Sequence, residues 1–247
     1  MFKLSSFRLR VFRQCRRQYK YRYVEKLPTR PSPYNTMGAH VHNALKAFYC
    51  LPELEQRTPE RLLDLLLESW RQNRAGFSGL EDEERWRERA IAQLRTFAVK
   101  NDLAARPLAV EQYIETPLTP QLALSGRIDR VDDDPDGLHV IDYKTGRRPD
   151  EVDAEQLHLY TVMLERSFGR PVARASYLYL DEGAAWSISP RPEELEETVA
   201  AVLSAYEQII AERSYPTGVG KHCAFCDFQS ICPSREEIVG RRLANDW

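Results

Sequence analysis

Residues 4–24, LSSFRLRVFRQCRRQYKYRYV, place Leu4, Phe7, Val11, Phe12, Cys15 and Tyr19 near a helical period, with basic residues between them. The pattern predicts an amphipathic helix capped by Ser5 or Ser6. Pro28, Pro31 and Pro33 then predict a loop. MGAHVHNALKAFYC (37–50) predicts a second helix from near Gly38. Thr58-Pro59-Glu60 sets a cap before a proline at the first helical position and opens a Leu-rich helix to about Trp70. Residues 81–105, rich in Glu and Arg, predict another. Near 107 the period changes: LAVEQYIETPL, LALSGRIDRVDD and LHVIDYKTG are alternating or apolar, with turn residues at Asp134-Pro135-Asp136-Gly137. After this meander come a helix over 152–167, strands over 173–180 and 184–189, a helix from Pro192 to Glu212, and a Cys-rich loop, KHCAFCDFQSICP.

That order predicts an α/β fold with one central mixed sheet flanked by helices. No linker demands a cut, so one domain is expected over 1–247, with a helical insertion at about 53–105 and a core at about 107–190. A chain of 247 residues with 43% hydrophobic content can bury one such core. The formal charge of -2 excludes a nucleic-acid reading from bulk charge alone, so any basic surface must be local. Arg8, Arg10, Arg13, Arg16, Arg17, Lys20 and Arg22 supply one. As a group they are expected to contact phosphates, and Tyr19, Tyr21 and Tyr23 either stack on bases or pack in the core. No secretory signal or membrane span is expected, and a phosphate-binding P-loop motif is missing, which excludes an ATP-driven motor.

The chemistry concentrates in GRIDRVDDDPDGLHVIDYKTG (126–146). Asp142 and Lys144 are two apart on a strand and share a face, Tyr143 points away, and Asp129 can lie opposite across the hairpin. Two carboxylates and an ammonium converging among Ile128, Val131, Val140 and Ile141 are costly unless a cation joins them. Oxygen ligands suit Mg²⁺, which polarises a phosphoryl oxygen and acidifies water. Asp132, Asp133, Asp134 and Asp136 read as solvated turn residues, and Glu111, which could join the acidic cluster, reads first as a solvent-facing glutamate. His40 and His158 are expected to be structural.

The G-x-I-D…D-x-K pattern resembles the PD-(D/E)XK superfamily, with Asp in both acidic positions. G-A-H-V-H (38–42) and Q-L-H-L-Y (156–160) resemble the G-x-x-x-H and Q-x-x-x-Y motifs of its RecB-like branch. The resemblance implies a restriction-endonuclease-like fold and His42 as a third metal ligand beside Asp129 and Asp142. It also implies catalytic roles for Asp129, Asp142, Lys144, Gln156 and Tyr160, with Mg²⁺ or Mn²⁺ as cofactor. The last pair could otherwise be a simple i,i+4 helix pair. The segment 53–105 carries no matching motif.

Cys223, Cys226 and Cys232 form C-x2-C-x5-C, and five cysteines without a signal peptide argue for a reducing, cytoplasmic compartment rather than disulfides. Spacing alone leaves zinc, with His222 as a possible ligand, and iron–sulfur open. The resemblance implies Cys15 as the fourth ligand of a [4Fe-4S] cluster and a cluster subdomain built from 1–24 with 214–247. Phe225, Phe228 and Ile231 would shield it, and Cys50 would be a buried small hydrophobe. A DNA exonuclease acting on single-stranded or end-bearing substrates in repair, recombination or CRISPR adaptation is what the family implies. The alternative is a DNA-binding or nuclease subunit of a helicase–nuclease complex, inactive alone.

Overall fold

The computed structural model describes residues 1–244; the last three of the expected terminal region lie outside the described residues. Six strands form one mixed sheet in the order β1-β3-β4-β5-β6, with β2 also on β3. They are β1 (Phe2–Leu4), β2 (Ala109–Pro117), β3 (Leu122–Asp134), β4 (Gly137–Lys144), β5 (Val172–Tyr179) and β6 (Ala184–Ile188). β2 runs antiparallel along β3 from Ala123 to Val131 and fills one edge of that long strand. β1, parallel at Leu122–Leu124, and β4, antiparallel at Arg130–Asp134, therefore share the other edge. Between them that edge has no strand partner from 125 to 129, and Asp129 sits at the end of the gap.

The described residues also form eight α-helices. They are α1 (Ser6–Gln14), α2 (Arg16–Tyr19), α3 (Pro33–Tyr49), α4 (Pro59–Gln72), α5 (Leu80–Lys100), α6 (Glu155–Phe168), α7 (Pro192–Ala211) and α8 (Arg235–Leu243). Strand alternation divides the core in two. Leu138 and Val140 of β4 join the cluster of α1, α6 and α7, while Ile141 and Tyr143 join that of α3, α4 and α5. Ser5, Ser32 and Thr58 each accept a backbone N–H at a helix start, and Pro33 and Pro59 occupy first turns.

Several expectations are corrected. The N-terminal stretch is not one helix. Phe2–Leu4 is a strand, and Cys15 is extended (φ -159°), ending α1 and capping α2 with its sulfur. A π-helical turn, Lys20–Val24, follows. α3 begins at Pro33 rather than Gly38 because Ser32 accepts from the amide of Asn35. Cys50 is exposed, because it ends α3 as its C-cap. No helix among the described residues is long and apolar enough to cross a membrane.

Candidate metal-dependent active site

Apolar residues carry the acidic groups into the interior. Ile128 and Val131 bracket Asp129, and Ile141 and Tyr143 bracket Asp142; all are buried. Regular β3–β4 pairing stops at Arg130–Ile141, so Asp129 and Asp142 are the next residues in register, where the strands part. The Asp129 carboxylate occupies the opening and accepts the backbone N–H of Tyr143 at 2.7 Å. This hydrogen bond replaces the missing strand pairing and fixes the carboxylate.

Lys144 Nζ lies 2.6 Å from Asp142 Oδ2 and donates to Gln156 Oε1 at 2.9 Å. Gln156, in the first turn of α6, donates Nε2 to Asp142 Oδ1 at 2.9 Å and to the Tyr160 hydroxyl at 2.8 Å. Tyr160 in turn donates to the carbonyl of Arg127 at 2.9 Å. The i,i+4 pair of α6 is thus tied to both acidic strands. Gly126 permits this, since a Cβ there would stand 3.1 Å from the Tyr160 ring.

His42, from α3, brings Nδ1 to 3.2 Å from Asp129 Oδ1 and 3.4 Å from Glu111 Oε1. Glu111 corrects an expectation: it is not solvent-facing. β2 places it directly opposite Asp129, between the pairs Val110–Arg130 and Gln112–Ile128. Its positive φ of 49° marks a local departure from strand geometry, and its side chain is 11% exposed. Asp132 likewise lies on β3, bound bidentately to the buried Arg130, rather than in a solvated turn. His40 is buried between Ser69 Oγ and the Asn73 carbonyl, a structural role. His158 faces Glu194 on α7.

The electrostatics calls for a cation. Burial and the charge of Asp129 push the Asp142 carboxyl up to about 6, against the pull of Lys144 and His42. Burial opposes charge on His42, yet hydrogen bonds to Asp129 and Glu111 and the field of both aspartates raise it to about 10. Asp142 Oδ2 also lacks a hydrogen bond of proper geometry, despite its contact with Lys144. One ligand atom each from His42, Glu111 and Asp129 lie within 4.8 Å of one another, the sole such group among the described residues. Carboxylates, an imidazole and an unsatisfied buried oxygen fit a hard divalent ion such as Mg²⁺ or Mn²⁺.

His42, Asp129, Asp142, Lys144, Gln156 and Tyr160 open on one cleft of about 900 Å³, lined also by Phe7, Arg10, Arg13, Tyr34 and Arg147. The other basic residues of the N-terminal segment do not reach it, which narrows the expected phosphate-binding surface. Arg16 pairs with Glu212, Arg17 donates to the Ser214 carbonyl, and Arg8 donates to Tyr19 and the Lys3 carbonyl. Tyr19 is buried against Phe12 and Tyr23, and Tyr21 packs on Phe228 while donating to the Ile231 carbonyl. These tyrosines fasten the N-terminal segment.

Helix α5 supports the site from behind. Gln93 of α5 donates to the Thr145 carbonyl at 2.8 Å and to Asp181, which Arg89 grips at 2.5 Å. The strand end that carries Lys144 is thereby anchored. Gln93 was not readable as a support residue, since its partner is a backbone carbonyl.

Cys15, Cys223, Cys226 and Cys232 line a second, small cavity beneath the same N-terminal segment. Cys15 Sγ accepts two backbone N–H groups, from Gln18 and Gly218, each at 3.4 Å. Burial, and the neighbouring sulfurs beside it, push the Cys223 and Cys226 thiols up. Phe228 is buried beside them, but Phe225 is 92% exposed and shields nothing.

A sequence model described as the PD-(D/E)XK nuclease superfamily matches residues 3–233. No curated protein gives a significant match. Among solved structures, a Eubacterium rectale protein described as "Putative exonuclease" is similar over 84% of this chain and 80% of its own, at 11% identity and a TM-score of 0.53. At that identity the likeness speaks for the fold alone. SSO0001 is 20% identical over 62% of this chain and 78% of its own, with a TM-score of 0.38.

Proposed function

Because the chain belongs to the PD-(D/E)XK nuclease superfamily, we propose that this metal-dependent nuclease is a DNA exonuclease of the RecB-like iron–sulfur branch, acting on single-stranded or end-bearing DNA. The whole chain is read as one nuclease domain with a helical insertion. The observation that carries this reading is the buried Asp142 carboxylate, short of a hydrogen bond at Oδ2 and 2.6 Å from Lys144, in a cleft shared with Asp129 and His42.

Asp129, Asp142 and His42, joined by Glu111, would hold Mg²⁺ or Mn²⁺. A divalent ion supplies Lewis-acid polarisation of the phosphodiester and lowers the pKa of water. Lys144 orients the attacking water and offsets negative charge as it grows on the phosphoryl oxygens. Gln156 holds the Lys144 ammonium and the Asp142 carboxylate at a fixed separation, and Tyr160 fixes Gln156 against the Arg127 carbonyl. Arg10, Arg13 and Arg147 neutralise backbone phosphates along the cleft. The water oxygen bonds to phosphorus, the ester P–O bond breaks, and the proton released by the water passes to the departing oxygen.

A [4Fe-4S] cluster on Cys15, Cys223, Cys226 and Cys232 is the second element of the proposal. Support comes from four sulfurs on one cavity and from two N–H groups aimed at Cys15 Sγ, as suits a thiolate. The cluster would close a loop of about two hundred residues, restraining the unfolded chain by about 2 kcal/mol more than a fifteen-residue loop.

The test uses anaerobically purified protein with Mg²⁺ or Mn²⁺ on end-labelled linear and circular single-stranded DNA. Loss of the linear strand alone is the result expected of an exonuclease. Equal attack on circles makes the enzyme an endonuclease, and no cleavage of either by iron-loaded protein contradicts the proposal.

A further inference from the structure

Two aromatic rings on the walls of the cleft are left in water. Phe7, on α1, is 40% exposed, although the same helix buries Leu9, Val11 and Phe12. Tyr34, in the first turn of α3, is 44% exposed. Both line the cleft that holds Asp129, Asp142 and Lys144. Cations surround the first ring: the guanidinium carbon of Arg22 lies 4.9 Å and that of Arg10 5.2 Å from its centroid. Arg10 makes no ion pair among the described residues, so its charge is available to a phosphate.

Exposed rings beside an available cation match the chemistry of single strands. An unpaired base offers a π-face for stacking while its phosphate is neutralised nearby. A duplex presents phosphates and base edges, and its base faces are hidden except at the ends. The tyrosines of the N-terminal segment do not line this cleft: Tyr19 packs against Phe12 and Tyr23, and Tyr21 against Phe228. Resting on the nuclease reading above, we propose that Phe7 and Tyr34 are base-stacking platforms that make the cleft selective for unpaired DNA. They are specificity residues and take no part in moving protons.

Binding without cleavage separates this proposal from the nuclease reading. Fluorescence anisotropy in EDTA would compare a labelled oligo-dT, an abasic strand of equal length and a blunt hairpin duplex. The abasic strand keeps every phosphate and lacks every base. Wild-type protein is expected to bind oligo-dT about tenfold or more tightly than the abasic strand or the duplex. Phe7→Ala with Tyr34→Ala should erase most of that preference and leave abasic binding in place, and Phe7→Trp should retain it. Equal binding of oligo-dT and abasic strand by wild type overturns the proposal, as does equal weakening of all three probes by the alanine variant. If the preference fails while Mn²⁺-dependent cleavage persists, the nuclease reading stands alone. If no probe binds and nothing is cut, both fall.

Discussion

Replacing Asp142 by asparagine should make the metal-free protein more stable while it destroys the enzyme. The carboxyl is 4% exposed, and burial together with the charge of Asp129 raises it from its ordinary value of 3.8 to about 6. A raised carboxyl favours the folded state least when it is ionised. The penalty is absent below 3.8, grows as pH rises through the folded value near 6, and is complete above it. At about 1.4 kcal/mol per pH unit the full cost is about 3 kcal/mol at pH 8 and about half that at pH 5. The attraction of Lys144 and His42 is already contained in that shift. The neutral amide carries no charge and escapes the cost. For a chain of this size the Asp142→Asn variant should melt about 6–12 °C above wild type at pH 8 in EDTA. The gap should narrow at pH 5. Mn²⁺ at one thousand times its Kd should reverse it, since that adds about 4.1 kcal/mol to the protein that binds it. Thermal unfolding by circular dichroism at both pH values reads this out. A variant that melts below wild type in EDTA at pH 8, or a gap unchanged at pH 5, refutes the reasoning.

Glu111→Gln should weaken Mn²⁺ binding by about tenfold or more, measured by calorimetry, because the carboxylate lies 3.4 Å from His42 beside Asp129. Unchanged affinity would remove Glu111 from the site. Gln156→Leu should slow single-turnover cleavage about 100-fold by releasing Lys144 and Tyr160, with Mn²⁺ affinity nearly kept. Cys223→Ser should yield colourless protein without iron or acid-labile sulfide, whose C-terminal segment is cut early in limited proteolysis. A brown, protease-resistant variant would contradict the cluster.

The sheet was legible because its chemistry and its packing use the same residues. Ile128, Val131, Val140 and Ile141 fix the β3–β4 hairpin, and that hairpin brings Asp129 to Asp142. The i,i+4 spacing of Gln156 and Tyr160 puts them on one helix face, where a hydrogen bond joins them at 2.8 Å. Glu111 was ranked as solvent-facing rather than as a member of the cluster because its place depends on pairing across β2 and β3 and on a backbone angle that the pattern AVEQYIE does not reveal. The N-terminal segment was misread as one helix because Cys15 has helical spacing in sequence, whereas its backbone is extended and its sulfur serves as a cap. The basic residues there looked like one surface. Tertiary partners that lie nearly two hundred positions away, such as Glu212 for Arg16, take several of them out of it.

The most direct test of a metal-assisted hydrolytic site is single-turnover cleavage of an end-labelled linear single strand by wild-type and Lys144→Ala protein across a Mn²⁺ titration. Wild-type cleavage should rise to saturation with Mn²⁺ and vanish in EDTA, and the variant should bind the strand without cutting it. Cleavage that ignores Mn²⁺, or a Lys144→Ala protein that cuts at the wild-type rate, would contradict the assignment of this cleft as the active site.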